Sequence, residues 1–333
     1  MKVIAVFGAT GNSGRYIVEN LAIGGNKVIA IGRTKNNYFS KYDVEYYSGD
    51  IRNEDFINAI PKTNIDSVIN LAGIQPSILK FSEKTDFEKT MKEYVSVNIN
   101  GVFNIIEFCR KRSVENYIYT TSHRDIEGHW VDGKLLHSSL PPKINYKGDH
   151  VMYAITKTSS LMIGNYYREL FGLRVFNLRL PMIFSVPKQN WYLSNGEKKV
   201  IPFLTILRSA SLGKNLEVWG DKDMKRDYVY KDNLTSMIEK CLSSNLDGGI
   251  FNVGTGESVT TENFIKEISN IFSPPGKECK IIYKPQNRTY KHTSYDISDA
   301  KELLGYSPVF LKEMLIKMKR DIDENNYFEN HSW

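Results

Sequence analysis

Tyr153 and Lys157 stand four residues apart in Tyr153-Ala154-Ile155-Thr156-Lys157, a spacing that puts both on one face of a helix. A free tyrosine has a pKa of about 10, too high for ready proton exchange at neutral pH. A neighbouring ammonium stabilises the phenolate and lowers that value. Ser122 closes the run Tyr119-Thr120-Thr121-Ser122, which reads as the end of a strand and puts a hydroxyl at the ligand edge of a sheet. There it would hydrogen-bond the same carbonyl or hydroxyl oxygen that Tyr153 protonates. Either motif alone is ordinary; together they describe proton exchange with a substrate oxygen.

A second constellation lies near the start. Gly8-Ala9-Thr10-Gly11-Asn12-Ser13-Gly14 joins an apolar strand to a helix. Such glycines let backbone N–H groups approach a pyrophosphate at the helix N-terminus, where the dipole favours negative charge. This predicts a dinucleotide, whose oxidised nicotinamide would add a positive charge near Tyr153. An acidic residue at the end of the next strand would bind the ribose diol of NAD, whereas an arginine accommodates the 2′-phosphate of NADP. Here that strand ends Ala30-Ile31-Gly32-Arg33-Thr34-Lys35, so the expectation is NADP(H), with Arg33 on the phosphate.

The elements that hold these residues alternate. Strands are predicted at 2–7, 27–31, 44–47, 67–70, 116–121 and 173–178, with helices at 13–23, 86–111 and 150–171. Alternation of this kind implies an α/β fold, a doubly wound parallel (Rossmann) sheet covered on both faces. Residues 181–199 read as loop. Helices at 202–212, 262–272 and 310–321 and strands at 216–219 and 249–252 follow. The reading is a dinucleotide-binding domain over 1–180, to which 219–255 returns in part. A smaller α/β substrate-binding region covers 181–218 and 256–333.

Composition narrows the class. Lys and Arg total 44 against 38 Asp and Glu, a net charge of +6; 41% of residues are hydrophobic and 25% charged, as in ordinary globular chains. No apolar run approaches the ~20 residues needed to span a bilayer, and nothing resembles a leader, so a cytoplasmic location is expected. Cys109, Cys241 and Cys279 are dispersed, and His123, His129, His137 and His150 lack zinc spacing, so no metal is expected. The cations are scattered, without a basic stripe, which argues against nucleic acid. His123-Arg124-Asp125 imitates a kinase catalytic loop, but Trp130 stands where that loop needs Asn.

Taken together the chain resembles the extended short-chain dehydrogenase/reductase family, in its nucleotide-sugar epimerase/dehydratase branch. Gly8, Gly11 and Gly14 match its glycine motif, Asp50-Ile51 its adenine-binding Asp segment and Asn70-Leu71-Ala72-Gly73 its Asn-Ala-Ala-Gly segment. Asn98 matches its structural Asn, and Ser122, Tyr153 and Lys157 its catalytic triad. Arg226-Asp227-Tyr228-Val229-Tyr230, Asn252-Val253-Gly254-Thr255-Gly256 and Leu304-Gly305-Tyr306-Ser307-Pro308 match its C-terminal stretches. The resemblance implies cofactor contacts from Gly8, Thr10, Gly11, Asn12, Ser13, Gly14, Arg33, Asp50, Ile51, Leu71, Ala72, Gly73, Asn98, Tyr153 and Lys157. It implies substrate contacts from Ser122, His123, Arg226 and Arg288, the two arginines on a diphosphate, and a homodimer.

Three departures matter. His123-Arg124 replaces the Asp-Glu of the 4,6-dehydratases, Pro181-Met182 stands where an Asn is frequent, and a polar stretch over 129–150 precedes Tyr153. The expected activity is NADP(H)-dependent reduction of a 4-keto nucleotide sugar. A 4-epimerase is the alternative, and a non-catalytic NADP-binding redox sensor the alternative of another class.

Overall fold

The computed structural model describes residues 1–61, 63–76, 86–131, 133–148, 150–194, 197–288 and 291–333. Residues 132 and 149 of the polar stretch and 195–196 of the expected loop lie outside them.

Seven parallel strands form the central sheet: β1 (Val3–Phe7), β2 (Lys27–Gly32), β3 (Val44–Ser48), β4 (Ser67–Asn70), β5 (Asn116–Ser122), β6 (Arg174–Leu180) and β7 (Gly248–Asn252). Their order is β7-β6-β5-β4-β1-β2-β3, a doubly wound arrangement. The strands are short β-branched runs because both faces are covered. Alternation sends Ile4 and Val6 of β1 to one face and Ala5 and Phe7 to the other. On the first face they pack with Ile17, Val18 and Leu21 of α1 (Asn12–Ile23). On the second they meet Ile57 of α2 (Glu54–Ala59) and the pair formed by α4 (Val102–Lys111) and α5 (Val151–Phe171).

The helix predicted over 86–111 is interrupted. α3 (Phe87–Val95) passes through a π-helical turn, Ser96–Gly101, before α4 begins. Such a turn carries an extra residue and often marks a functional site; this one contains Asn98.

A third core belongs to the C-terminal part, where Leu204 and Leu207 of α6 (Pro202–Ser211) pack with Phe264, Ile268, Met314 and Met318. Gly248–Asn252 pairs with β6 in register Asn252↔Arg179. A helix absent from the sequence reading, α7 (Lys231–Ser243), adds Leu234, Met237 and Ile238 to the core beside α1. The remaining helices are α8 (Thr261–Phe272), α9 (Ser298–Leu304) and α10 (Leu311–Glu324). Residues 181–199 are not simply loop. Ile183–Phe184 pairs with Val229–Tyr230, and Trp191–Ser194 forms a hairpin with Glu197–Val200. Within the polar stretch, Leu135–Leu136 pairs with Ser294–Tyr295, tying that segment to the C-terminal part.

Candidate active site

Ser122 ends β5 and caps the 3-10 turn His123–His129, accepting a hydrogen bond from the Arg124 N–H. Tyr153 lies in the first turn of α5 and Lys157 one turn later, and α5 packs along β5 and β6. The Ser122 side chain lies close enough to Tyr153 to favour its phenolate, so the two side chains are neighbours at the sheet edge. Burial pushes the Tyr153 pKa up, outweighing the Ser122 side chain and the Arg124 charge that favour the phenolate. The expected depression by Lys157 is therefore not what this geometry shows. The reason is where the ammonium sits. Lys157 Nζ donates to the Thr120 carbonyl at 2.7 Å and the Tyr119 hydroxyl at 3.1 Å, and lies 4.4 Å from the Tyr119 ring centre. Burial brings its pKa down to about 7.

The dinucleotide residues converge beside it. Gly8 has φ of +78°, and a Cβ there would stand 2.7 Å from the Ala72 nitrogen; one at Gly14 would lie 2.1 Å from the Gly8 oxygen. No side chain caps α1 at Gly11, which leaves first-turn N–H groups for an anion. That backbone cradle, open to a phosphate and intolerant of side chains, fits a dinucleotide. Asn98 accepts from the Ile74 N–H at 2.8 Å and donates to the Ile74 carbonyl and Thr156 Oγ1. It thus fixes the strand-end segment Leu71–Ala72–Gly73 against α5. Gly73 lies so close that a Cβ on it would be 3.5 Å from Lys157 Nζ.

At the outer end, Asp50 pairs with Arg52, which donates from Nε at 3.0 Å and from Nη2 at 2.7 Å. The exposed Arg33 acts on Asp50 at longer range. Ile51 lies under Gly101, and its carbonyl accepts from Asn104. A Cβ at Gly32 would come 2.7 Å from the Tyr46 hydroxyl and 2.8 Å from Thr10 Cγ2, so a carboxylate there would have to displace one of them.

His123 faces the other side of the triad. Its Nδ1 is hydrogen-bonded to the Tyr295 hydroxyl, and its ring lies 4.8 Å from Trp130. Burial, then the charges of Arg124 and Arg226, hold it well below the usual imidazole range, so it is neutral. Arg226 bridges Thr293, two residues before Tyr295, and its charge acts on both His123 and Tyr295. Arg288 is exposed in the turn after Ile281–Lys284. Asp227, next to Arg226, accepts from the Thr255 N–H at 2.9 Å and the Thr255 hydroxyl at 2.6 Å, which fixes the Gly254–Gly256 turn.

Sequence reasoning missed the residues that brace this end. Arg179 is wholly buried; its Nε meets both oxygens of Asp125 at 3.0 and 3.1 Å, and Nη1 donates to the Ser138 carbonyl at 2.9 Å. Asn252 donates to the carbonyls of Leu136 and Asp296. These bonds stitch the 129–150 segment over the site. Among the described residues no group of three or more His, Cys, Asp and Glu could hold a metal. His137 pairs with Asp296, and His129 with the Pro141 carbonyl.

The sequence model of the NAD-dependent epimerase/dehydratase family matches residues 4–254, three-quarters of the chain and every strand of the sheet. The chain belongs to that family. The UDP-glucose 4-epimerase of Mycolicibacterium smegmatis is 23% identical over 94% of this chain and 96% of its own. The dTDP-4-dehydro-6-deoxyglucose reductase of Escherichia coli is 26% identical, covering 86% of this chain and 84% of its own. The crystal structure of UDP-glucose 4-epimerase from Thermotoga maritima, 21% identical, superposes with a TM-score of 0.78 over 97% of this chain and 99% of that one. For this family member the extended Rossmann architecture expected from the sequence is thus the observed one. The expected NADP preference is not shown: the family is described by NAD.

Proposed function

We propose that this enzyme moves hydride between a nicotinamide dinucleotide and C4 of a nucleotide-linked sugar. What supports the proposal is that Ser122 ends β5 while Tyr153 and Lys157 stand on α5 packed against it, with Lys157 Nζ bonded to the Thr120 carbonyl and facing the Gly73 segment. When bound, the nicotinamide would accept or supply the hydride. Tyr153 would exchange the proton of the C4 oxygen, and Ser122 would hold that oxygen by a hydrogen bond. Lys157 would turn from Tyr119 toward the cofactor ribose, with Asn98 holding the loop it faces. Arg226 and Arg288 would bind the diphosphate, remote from the reacting carbon.

NAD retained through a 4-epimerisation is the leading form, supported by the family and by the UDP-glucose 4-epimerase relatives. A second form, reduction of a 4-keto sugar by NADPH, is favoured by Gly32-Arg33 at the end of β2 and by the reductase relative. Denaturing the purified protein and identifying the released nucleotide tests both. Bound NAD with no net consumption during turnover supports epimerisation. Stoichiometric NADPH oxidation with a keto-sugar nucleotide supports reduction, and an Arg33→Ala variant should then lose NADP affinity alone. Failure of both, with Tyr153→Phe indistinguishable from wild type in cells, would leave a non-catalytic role.

A homodimer through α4 and α5 completes the proposal. Phe103, Met162, Tyr166 and Leu170 are exposed on those two helices, an apolar surface that a second copy would cover. A monomeric mass by light scattering at micromolar concentration would rule it out. The chain carries no helix long and apolar enough to cross a membrane, among its described residues.

A further inference from the structure

A cleft of about 500 Å³ lies over the outward face of α1, away from Ser122, Tyr153 and Lys157. Of the predicted cofactor residues only Asn12 touches it; Thr10 and Arg33 do not line it. Its opposite walls come from the segment after Ile183–Phe184 and from the chain following α10.

Its charges are unbalanced in a specific way. Arg15 and Lys188 converge on the ring of Tyr38, 5.1 and 3.6 Å from its centre, and neither is in an ion pair among the described residues. They are close enough that burial and then the Arg15 charge push the Lys188 pKa down. The carboxylates of the cleft offset them only in part, Glu19 acting on Lys188 without pairing with it among the described residues. Asp321 is taken by Lys231 at 2.6 Å and by the Tyr230 hydroxyl. Glu19 forms no ion pair among the described residues either, and burial pushes its carboxyl up despite the three cations around it.

Two buried donors in the same walls lack an acceptor. Among the described residues Arg15 Nε has no hydrogen-bond partner, and the guanidinium's one bond is a long one, 3.5 Å, from Nη2 to Asn12 Oδ1. The Tyr327 hydroxyl also has none, although Tyr327 is 5% exposed. A native structure seldom strands buried donors without a reason. Nor are these walls loose. The two ring nitrogens of His331 face the Tyr327 carbonyl at 2.8 Å and the Lys188 carbonyl at 2.9 Å, so the two sides of the cleft are tied together.

We propose that this cleft is a second ligand site, built for the phosphate group of a small phosphorylated molecule and distinct from the dinucleotide and sugar sites. A phosphate between Arg15 and Lys188 would relieve their repulsion and accept charge-assisted hydrogen bonds from the Arg15 guanidinium and the Lys188 ammonium. The cleft is much larger than a phosphate, so an organic body would occupy the remainder beside Tyr16 and Lys231. Because α1 begins at the glycine turn, occupancy there is coupled by a single helix to the cofactor cradle.

The test is calorimetric titration of inorganic phosphate into the full-length protein saturated with NAD, with chloride at equal ionic strength as control. Saturable binding is expected in phosphate and not in chloride. Arg15→Gln and Lys188→Gln should each weaken it about tenfold, the loss of one charge-assisted contact, and Tyr327→Phe by less. Thermal melts of the free variants establish that each is folded. Absence of saturable binding, or equal affinity in all three variants, overturns the proposal. So does displacement of phosphate by NADP but not by NAD, since the cleft would then be the 2′-phosphate end of the cofactor site.

Discussion

Replacing Arg179 by methionine removes the charge that neutralises Asp125 inside the protein. Both residues are essentially inaccessible, 0% and 1% exposed, and the guanidinium reaches both carboxylate oxygens. Methionine keeps most of the length, so the loss is electrostatic rather than a cavity. Breaking a buried pair from one side costs about 3–5 kcal/mol, because a charge is left without its partner. Burial already holds the Asp125 pKa above the ordinary carboxylate range, and Arg179 is the main influence pulling it back. Without Arg179 it rises further, and the variant escapes part of the cost by binding a proton. A carboxyl raised in the folded state destabilises as pH climbs from its unfolded value, about 3.9, through the folded one. The stability gap between wild type and Arg179→Met should therefore widen from pH 5 to pH 8. Urea unfolding followed by tryptophan fluorescence at the two pH values measures it. Adding Asp125→Asn should recover part of the loss, leaving about 1–3 kcal/mol for the unpaired Ser138 and Leu140 carbonyls. A loss below about 1 kcal/mol at pH 8, or a gap that ignores pH, would refute the reasoning.

Other expectations concern the site directly. Tyr153→Phe should lower kcat by about 10²–10⁴ with the melting temperature unchanged; near-normal turnover would remove Tyr153 from proton transfer. Lys157, brought by burial to about 7, loses its charge above that pH. Dinucleotide affinity measured by calorimetry should fall from pH 6 to pH 8.5 in wild type and stay flat in Lys157→Met; parallel curves would contradict this. Asp227 is raised by burial to about 7. Its stabilisation is therefore present at acid pH and lost as pH rises through 7. The margin of wild type over Asp227→Asn in urea should shrink from pH 5 to pH 8, and a constant margin would show that Asp227 stays ionised throughout.

Much of the sheet was legible because its strands are short apolar runs between glycine and polar turns, and the helix of Tyr153 ends cleanly at Gly172, in the left-handed region. The interruption at Ser96–Gly101 was not. A π turn leaves the local apolar pattern almost intact, and what stabilises it is remote: Asn98 bonding across to Ile74 and Thr156, and the Ser160 hydroxyl on the Asn98 carbonyl. The helix α7 did carry a readable period in Leu234, Met237, Ile238, Cys241 and Leu242, which the preceding Arg-Asp-Tyr-Val-Tyr motif overshadowed. Nothing local to His123-Arg124-Asp125 shows that the partner of Asp125 lies 54 residues away.

The sequence by itself determined the α/β order, the glycine turn, and the types and spacing of Ser122, Tyr153 and Lys157, because each rests on backbone rules spanning a few residues. Only the tertiary structure decided how these groups are tuned. Whether Lys157 faces Tyr153 or Tyr119, whether His123 is neutral, and which buried charge pairs with Asp125 depend on what folding brings alongside. Desolvation and Coulomb interaction act through space, and the chain order does not encode those distances locally.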